Sequence, residues 1–158
     1  MQAQEIFDNL KEKFGDAIIE VAGEAPSEPY IKVAADKIFD ISLDLRDDEA
    51  FKFDYLMCLS GVDLKDNIGV VYHLYSTTLK HTIVIKVEVA KDSEKVPTVE
   101  RVWRAADWHE REAYDMLGVE FEGHHNLIRI LCPYDWEGYP LRKDYKEPDE
   151  YHGMKVPY

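Results

Sequence analysis

Six histidines, two cysteines and 32 acidic side chains are the groups in this 158-residue sequence from which a metal centre or an acid–base site could be assembled. Their densest gathering is His109, Glu110, Glu112, His124, His125 and Cys132. Spacing argues against chemistry there. His109-Glu110 opens like the zinc motif HExxH, but Ala113 stands where the second histidine belongs. Adjacent His124 and His125 on extended backbone are expected to point to opposite sides. Glu110 and Glu112, two apart on a helix, do not face each other as a general acid and base must. Cys58 and Cys132 lie far apart with no CxxC, so this chain alone offers no disulfide framework, iron–sulfur site or cysteine-rich zinc site. Two reduced thiols in a cytoplasmic protein is the plain reading. GxGxxG, GxxxxGK[ST] and GxSxG are all absent, and no nucleotide or flavin site is readable.

The elements around these residues read as follows. Ile6, Phe7, Leu10 and Phe14 recur at helical spacing before Gly15-Asp16, predicting a first helix. Residues 17–22 and 30–34 read as strands on either side of a turn region, Gly23 to Pro29. Asp36 is placed to cap a second helix carrying Ile38, Phe39, Ile41 and Leu45, which ends in the acidic run Asp47-Asp48-Glu49. Three further strands are predicted over 55–62, 69–77 and 83–89, the last two as a hairpin. Helical spacing returns from Val99 to Leu117, with Gly118 as a left-handed cap. The expectation is an α+β two-layer domain over residues 1–118, with helices on one face of a mostly antiparallel mixed sheet, followed by an extended C-terminal arm over 119–158. Strand order is not legible.

Composition separates the arm from a disordered tail. It carries Tyr134, Trp136, Tyr139, Tyr145, Tyr151 and Tyr158 among Leu127, Ile128, Ile130 and Leu131, whereas disordered linkers are poor in such residues. Pro133, Pro140, Pro148 and Pro157 leave room for isolated turns only. Aromatic rings interleaved with Arg129, Arg142 and Lys143 are the residue types of protein interfaces, and this composition favours a partner over an arm wrapped on its own domain. On the third helix Arg111 and Asp115 stand at i and i+4 and are expected to pair on a solvated face.

Net charge is −13, with 20 acids against 11 bases (−9) in residues 1–100 and 12 against 8 (−4) in residues 101–158. That excludes a phosphate backbone or an anionic membrane surface as direct partner. No leader pattern follows Met1, and no apolar run approaches the roughly 20 residues a bilayer requires. The expectation is a soluble chain, held to a membrane at most through another subunit.

Residues 95–145 carry Lys95-Val96-Pro97, Val102-Trp103, Ala105-Ala106-Asp107-Trp108, Glu110-Arg111-Glu112 and Tyr114-Asp115-Met116-Leu117-Gly118. Phe121-Glu122-Gly123-His124, Arg129-Ile130-Leu131, Asp135-Trp136 and Gly138-Tyr139-Pro140-Leu141-Arg142-Lys143-Asp144-Tyr145 follow. This pattern closely resembles the 30-kDa subunit family of respiratory complex I, the C-type subunits of the bacterial NADH:quinone oxidoreductase. The resemblance implies a noncatalytic scaffold of the peripheral arm in a proton-translocating machine, docked on the 49-kDa-type (D-type) subunit and near the iron–sulfur subunits of B and I type. It implies no cofactor in this chain, with FMN, iron–sulfur clusters and quinone in companion subunits, and a peripheral place on the cytoplasmic side of the inner (plasma) membrane. Residues matching the family motif, Arg111, Glu112, Asp115, His124, Arg129, Asp135, Trp136, Pro140, Leu141, Arg142, Lys143, Asp144 and Tyr145, are expected to fix the arm or its contacts. Three positions depart from the family pattern: His125 where proline commonly follows Gly-His, Ile128 where a basic residue is frequent, and Cys132 where an aliphatic or Met is common. The equivalent subunit of a membrane-bound hydrogenase or of a ferredoxin- or F420-linked oxidoreductase shares the motif and is the alternative. A free-standing metal-dependent enzyme using His124, His125 and Cys132 is the alternative of another class.

Overall fold

The computed structural model describes residues 3–23 and 28–156; most of the predicted turn 23–29 and the terminal Pro157 and Tyr158 lie outside the described residues. The chain runs α1 (Ala3–Phe14), β1 (Ile18–Ala22), β2 (Tyr30–Val33), α2 (Ile38–Asp47), β3 (Tyr55–Asp63), β4 (Asn67–Tyr75), β5 (Thr82–Ala90), β6 (Val96–Pro97), α3 (Ala106–Leu117), β7 (Phe121–Glu122), β8 (Glu150–Tyr151) and β9 (Met154–Lys155). The five long strands form one sheet in the order β1-β2-β5-β4-β3. All neighbours are antiparallel except β2 and β5, so the sheet is mixed as expected.

Alternation decides which face is covered. Ile68, Val70, Tyr72 and Leu74 of β4 and Ile83, Ile85, Val87 and Val89 of β5 are buried in one cluster with Ile6 and Leu10 of α1, Ile38, Ile41 and Leu45 of α2, and Ala113 and Leu117 of α3. The three helices therefore share one face of the sheet. Each such aliphatic side chain contributes about 1.5–3 kcal/mol by leaving water. α3 lies close against β3 because position 61 is glycine: a Cβ there would stand 2.5 Å from Leu117 Cδ1.

Three local expectations are corrected. Residues 15–17 and 35–37 form short 3₁₀ turns, so β1 starts at Ile18 and Asp36 does not cap α2, whose N-cap is Lys37 without a side-chain bond. Helical spacing at 99–105 belongs to a turn: Val102 N and Trp103 N both reach Val99 O, and the Trp103 indole then donates to Phe53 O at 2.9 Å. The segment after Gly118 carries more regular structure than its prolines suggest, since β7 pairs in parallel with β6 and β8 pairs with β9.

Candidate docking surface

α3 is the rail on which the C-terminal segment is fastened. Two of its acidic residues leave the solvated face that the charge run suggests: Glu110 and Asp115 have no solvent exposure. Glu110 faces inward and takes the Thr98 hydroxyl and the Val99 amide, tying the preceding turn to the helix. Burial pushes its carboxyl up to about 7, against the lowering by those two donors.

Asp115 is the main fastening. Its Oδ2 accepts the backbone amides of Ile130, Leu131 and Cys132 at 2.7–3.0 Å, and its Oδ1 receives Arg129 Nη1 at 2.7 Å. Burial alone would raise this carboxyl, but the amides of Cys132 and Leu131, the Arg129 guanidinium and the Ile130 amide together hold it below the usual range. Arg111 does not pair with Asp115 as expected. It turns outward along the segment, giving Nε to Ile128 O at 3.1 Å and covering the Trp108 ring at 5.0 Å.

The C-terminal end of α3 is closed by the arm as well. Gly118 takes φ 74°, its amide reaches Tyr114 O, and Arg142 Nε donates to Leu117 O at 2.6 Å, a cation at the negative end of the helix. Arg142 and Arg129 lie 4.5 and 5.3 Å from the centroid of the Tyr139 ring, and Arg129 Nη2 holds Gly138 O at 2.8 Å. A Cβ at position 118 would come within 2.5 Å of both Arg142 Nη2 and Tyr139 Cε2. Gly118→Ala is expected to cost about 1–2 kcal/mol for the left-handed backbone and more for the displaced clamp, read as a lower urea midpoint.

A second fastening sits at the end of β3. Asp63 accepts the Lys143 amide at 2.7 Å and the Lys65 amide at 2.8 Å, with Lys91 Nζ at 3.2 Å. The Lys143 amide first, then Lys65 and Lys91, hold its carboxyl down to about 2 from the ordinary 3.8, against its burial. A depressed carboxylate contributes stability that is complete above its unfolded value and is lost as pH falls through its folded one. Amide protection at Lys143 should therefore fall between about pH 4 and pH 2 in the wild type. In Asp63→Asn it should already be low at pH 6.

The remaining family-motif residues also serve the segment itself. Trp136 Nε1 donates to Tyr145 OH at 3.0 Å, and Asp135 holds Tyr151 OH and His152. Leu141 N reaches Met116 O, Asp144 approaches Lys91 at 3.5 Å, and Pro140 is half-buried. The Lys143 side chain and Glu112 stay exposed. His124 is enclosed and lies 3.2 Å from Asp107 O. The sequence reading missed Glu110, Asp63 and Glu100 as fastening points, the last accepting the His125 amide at 3.0 Å. Only the isolation of Asp63 at a strand end could have signalled one of them.

This arrangement also leaves large apolar side chains outside. Trp108, Ile128, Leu131, Tyr134 and Leu141 are 53–92% exposed, and their backbones hang from one side of α3 through Arg111, Asp115 and Met116. Several large apolar side chains exposed on a supported segment suit an interaction site. The Cys132 thiol is raised by burial and then by the neighbouring Asp115, against the lowering by Arg129, which is opposite to the shift of an activated thiol. Among the described residues no helix is long and apolar enough to cross a membrane.

Fold and surface define a class, an α+β domain with a strapped tail. The chain superposes with a TM-score of 0.73 on a chain of the membrane-bound sulfane sulfur reductase, an archaeal respiratory membrane complex, at 28% identity over 92% of this chain and 86% of that one. The trypsin-resistant fragment 1–134 of Nqo5 shares the fold, with a TM-score of 0.62 and 23% identity over 76% of this chain and 97% of the fragment. Residues 31–151 match the family described as respiratory-chain NADH dehydrogenase, 30 Kd subunit. The C-type NADH-quinone oxidoreductase subunit of Chloroherpeton thalassium is 51% identical over 94% of this chain, and that of Chlorobium phaeobacteroides 48% over 99%. This chain spans 63% of the length of the first and 96% of the second. The chain belongs to the 30-kDa subunit family of the respiratory-chain NADH dehydrogenase.

Proposed function

We propose that this chain is a noncatalytic structural subunit of the peripheral arm of a proton-translocating NADH:quinone oxidoreductase. Its docking face is the exposed apolar row that α3 and the strapped segment present together, and its partner is the 49-kDa-type subunit, with the iron–sulfur subunits of B and I type nearby. FMN, the iron–sulfur clusters and quinone belong to those companions, and the chain is held through them on the cytoplasmic side of the inner (plasma) membrane. One observation carries the reading: Leu131, Tyr134 and Leu141, each more than 60% exposed, stand on a segment whose polar groups are turned inward to Asp115, Leu117 and Asp63. Protein interfaces concentrate their energy in such apolar and aromatic anchors. Cross-linking in purified complex from a photoreactive residue at position 134 should capture the 49-kDa-type subunit. Failure to capture any companion protein would count against the proposal.

A second reading draws on the likeness to the sulfane sulfur reductase chain. A hydrogenase or a ferredoxin- or F420-linked assembly would use the same docking face with a different electron donor. Mass spectrometry of the copurified subunits separates the two by the donor module it finds.

A further inference from the structure

We propose that Glu100, Asp107, His124 and His125 form a structural zinc site joining the start of the C-terminal segment to the first turn of α3. The ladder between β6 and β7 makes the juxtaposition: Thr98 N reaches Glu122 O at 2.9 Å, which carries Glu100 up beside the two histidines. One ligand atom from each of the four lies within 4.8 Å of the other three. His124 and His125 do not point apart as extended backbone predicts. Gly123 has φ +82° and the chain turns there, so the two rings stack, 5.3 Å between centroids and 11° between planes.

Between His124 and the two carboxylates the spacing suits ligands of one ion. His124 Nε2 stands 3.4 Å from Asp107 Oδ1 and 3.6 Å from Glu100 Oε2, and two zinc bonds of about 2.1 Å at the tetrahedral angle set donors about 3.4 Å apart. Asp107 Oδ1 is buried with no hydrogen-bond partner, a costly condition that a cation relieves. Glu100 and Asp107 make ion contacts with histidines alone. Arg101 and Arg104 line the same open hollow, of about 550 Å³, without pairing with either carboxylate. Two carboxylates and two neutral imidazoles balance a divalent ion and complete four-coordination, leaving no open position for a substrate. The site therefore adds rigidity and no reaction, and it stands independently of which companion binds the chain.

Three hydrogen bonds must yield on binding, the first being the 3.2 Å contact of His124 Nε2 with Asp107 O, because the metal takes that nitrogen. His125 Nδ1 lies 2.6 Å from Glu100 Oε2 and has to move out to ligand spacing. His124 Nδ1 accepts the Asn126 amide at 3.0 Å; metal at Nε2 leaves the ring hydrogen on Nδ1, so this amide turns toward solvent, where Asn126 already lies.

The test is titration of the chelator-treated full chain with zinc by calorimetry, and with cobalt(II) by visible absorption. The expected result is one ion per chain, the intense d–d bands of tetrahedral cobalt and a displaced Asn126 amide resonance. Asp107→Asn and His125→Ala should each weaken binding at least about tenfold, while His152→Ala, outside the cluster, leaves it unchanged. Asp107→Asn should melt in chelator no lower than wild type, since the buried Oδ1 accepts no hydrogen bond that the change would remove. Zinc binding that is absent, not one-to-one, or equal in the Asp107→Asn/His125→Ala double variant overturns the proposal.

Discussion

Asp115→Ala should release residues 129–132 from α3 and lower their opening free energy by about 3–5 kcal/mol, the size of effect found when one partner of a buried ion pair is removed. The loss has named parts. Three backbone amides lose their shared acceptor, and Arg129, 14% exposed, is left without its carboxylate. Asp115→Asn keeps one oxygen but turns an NH2 group toward donors, so it should lose most of the same stabilisation. Native-state hydrogen exchange at Ile130, Leu131 and Cys132 reads the effect directly. Against a domain stability of about 5–15 kcal/mol, the urea midpoint should fall too.

Leu131→Asp combined with Tyr134→Asp should leave the isolated chain within about 0.5 kcal/mol of wild-type stability and yet release it from the assembled complex. Both side chains are exposed, at 62% and 92%, and neither supports the strap. Interface anchors lose about 2 kcal/mol or more on truncation, about 30-fold in affinity, and buried carboxylates add their own desolvation cost. Copurification and quinone reductase activity of the complex should fall together. Trp136→Ala with Arg142→Ala would be a poorer test, because Trp136 bonds Tyr145 and Arg142 caps α3, so both changes loosen the strap first.

Period-2 and period-3.6 patterns in the sequence make the main-sheet strands and the helices legible, because one buried face per element leaves a local signature. Strand order is different in kind. The parallel pairing of β2 with β5 depends on residues some fifty positions apart, and nothing local encodes it. At α3 the charged run Glu110-Arg111-Glu112 reads as solvated because composition cannot see that Thr98 and Val99 supply donors to Glu110. For Asp115 the partners are main-chain amides, which have no letter in a sequence. The arm's guanidiniums are the instructive case. Their residue types suit an interface, but Arg129 and Arg142 turn to Asp115, Leu117 and Asp92 of their own chain, leaving the neighbouring apolar side chains as the outward face.

The central claim is that the segment after Gly118 is fastened inward by its polar groups and docks outward by its apolar ones. Hydrogen–deuterium exchange of the isolated chain and of the same chain in purified complex tests both halves together. Amides 130–132 and 143, held by Asp115 and Asp63, should be protected in both states. The amides of the exposed Tyr134 and of Asp135 should become protected only in the complex. Rapid exchange at 130–132 in the isolated chain, or equal exchange at Tyr134 and Asp135 in both states, would contradict the account.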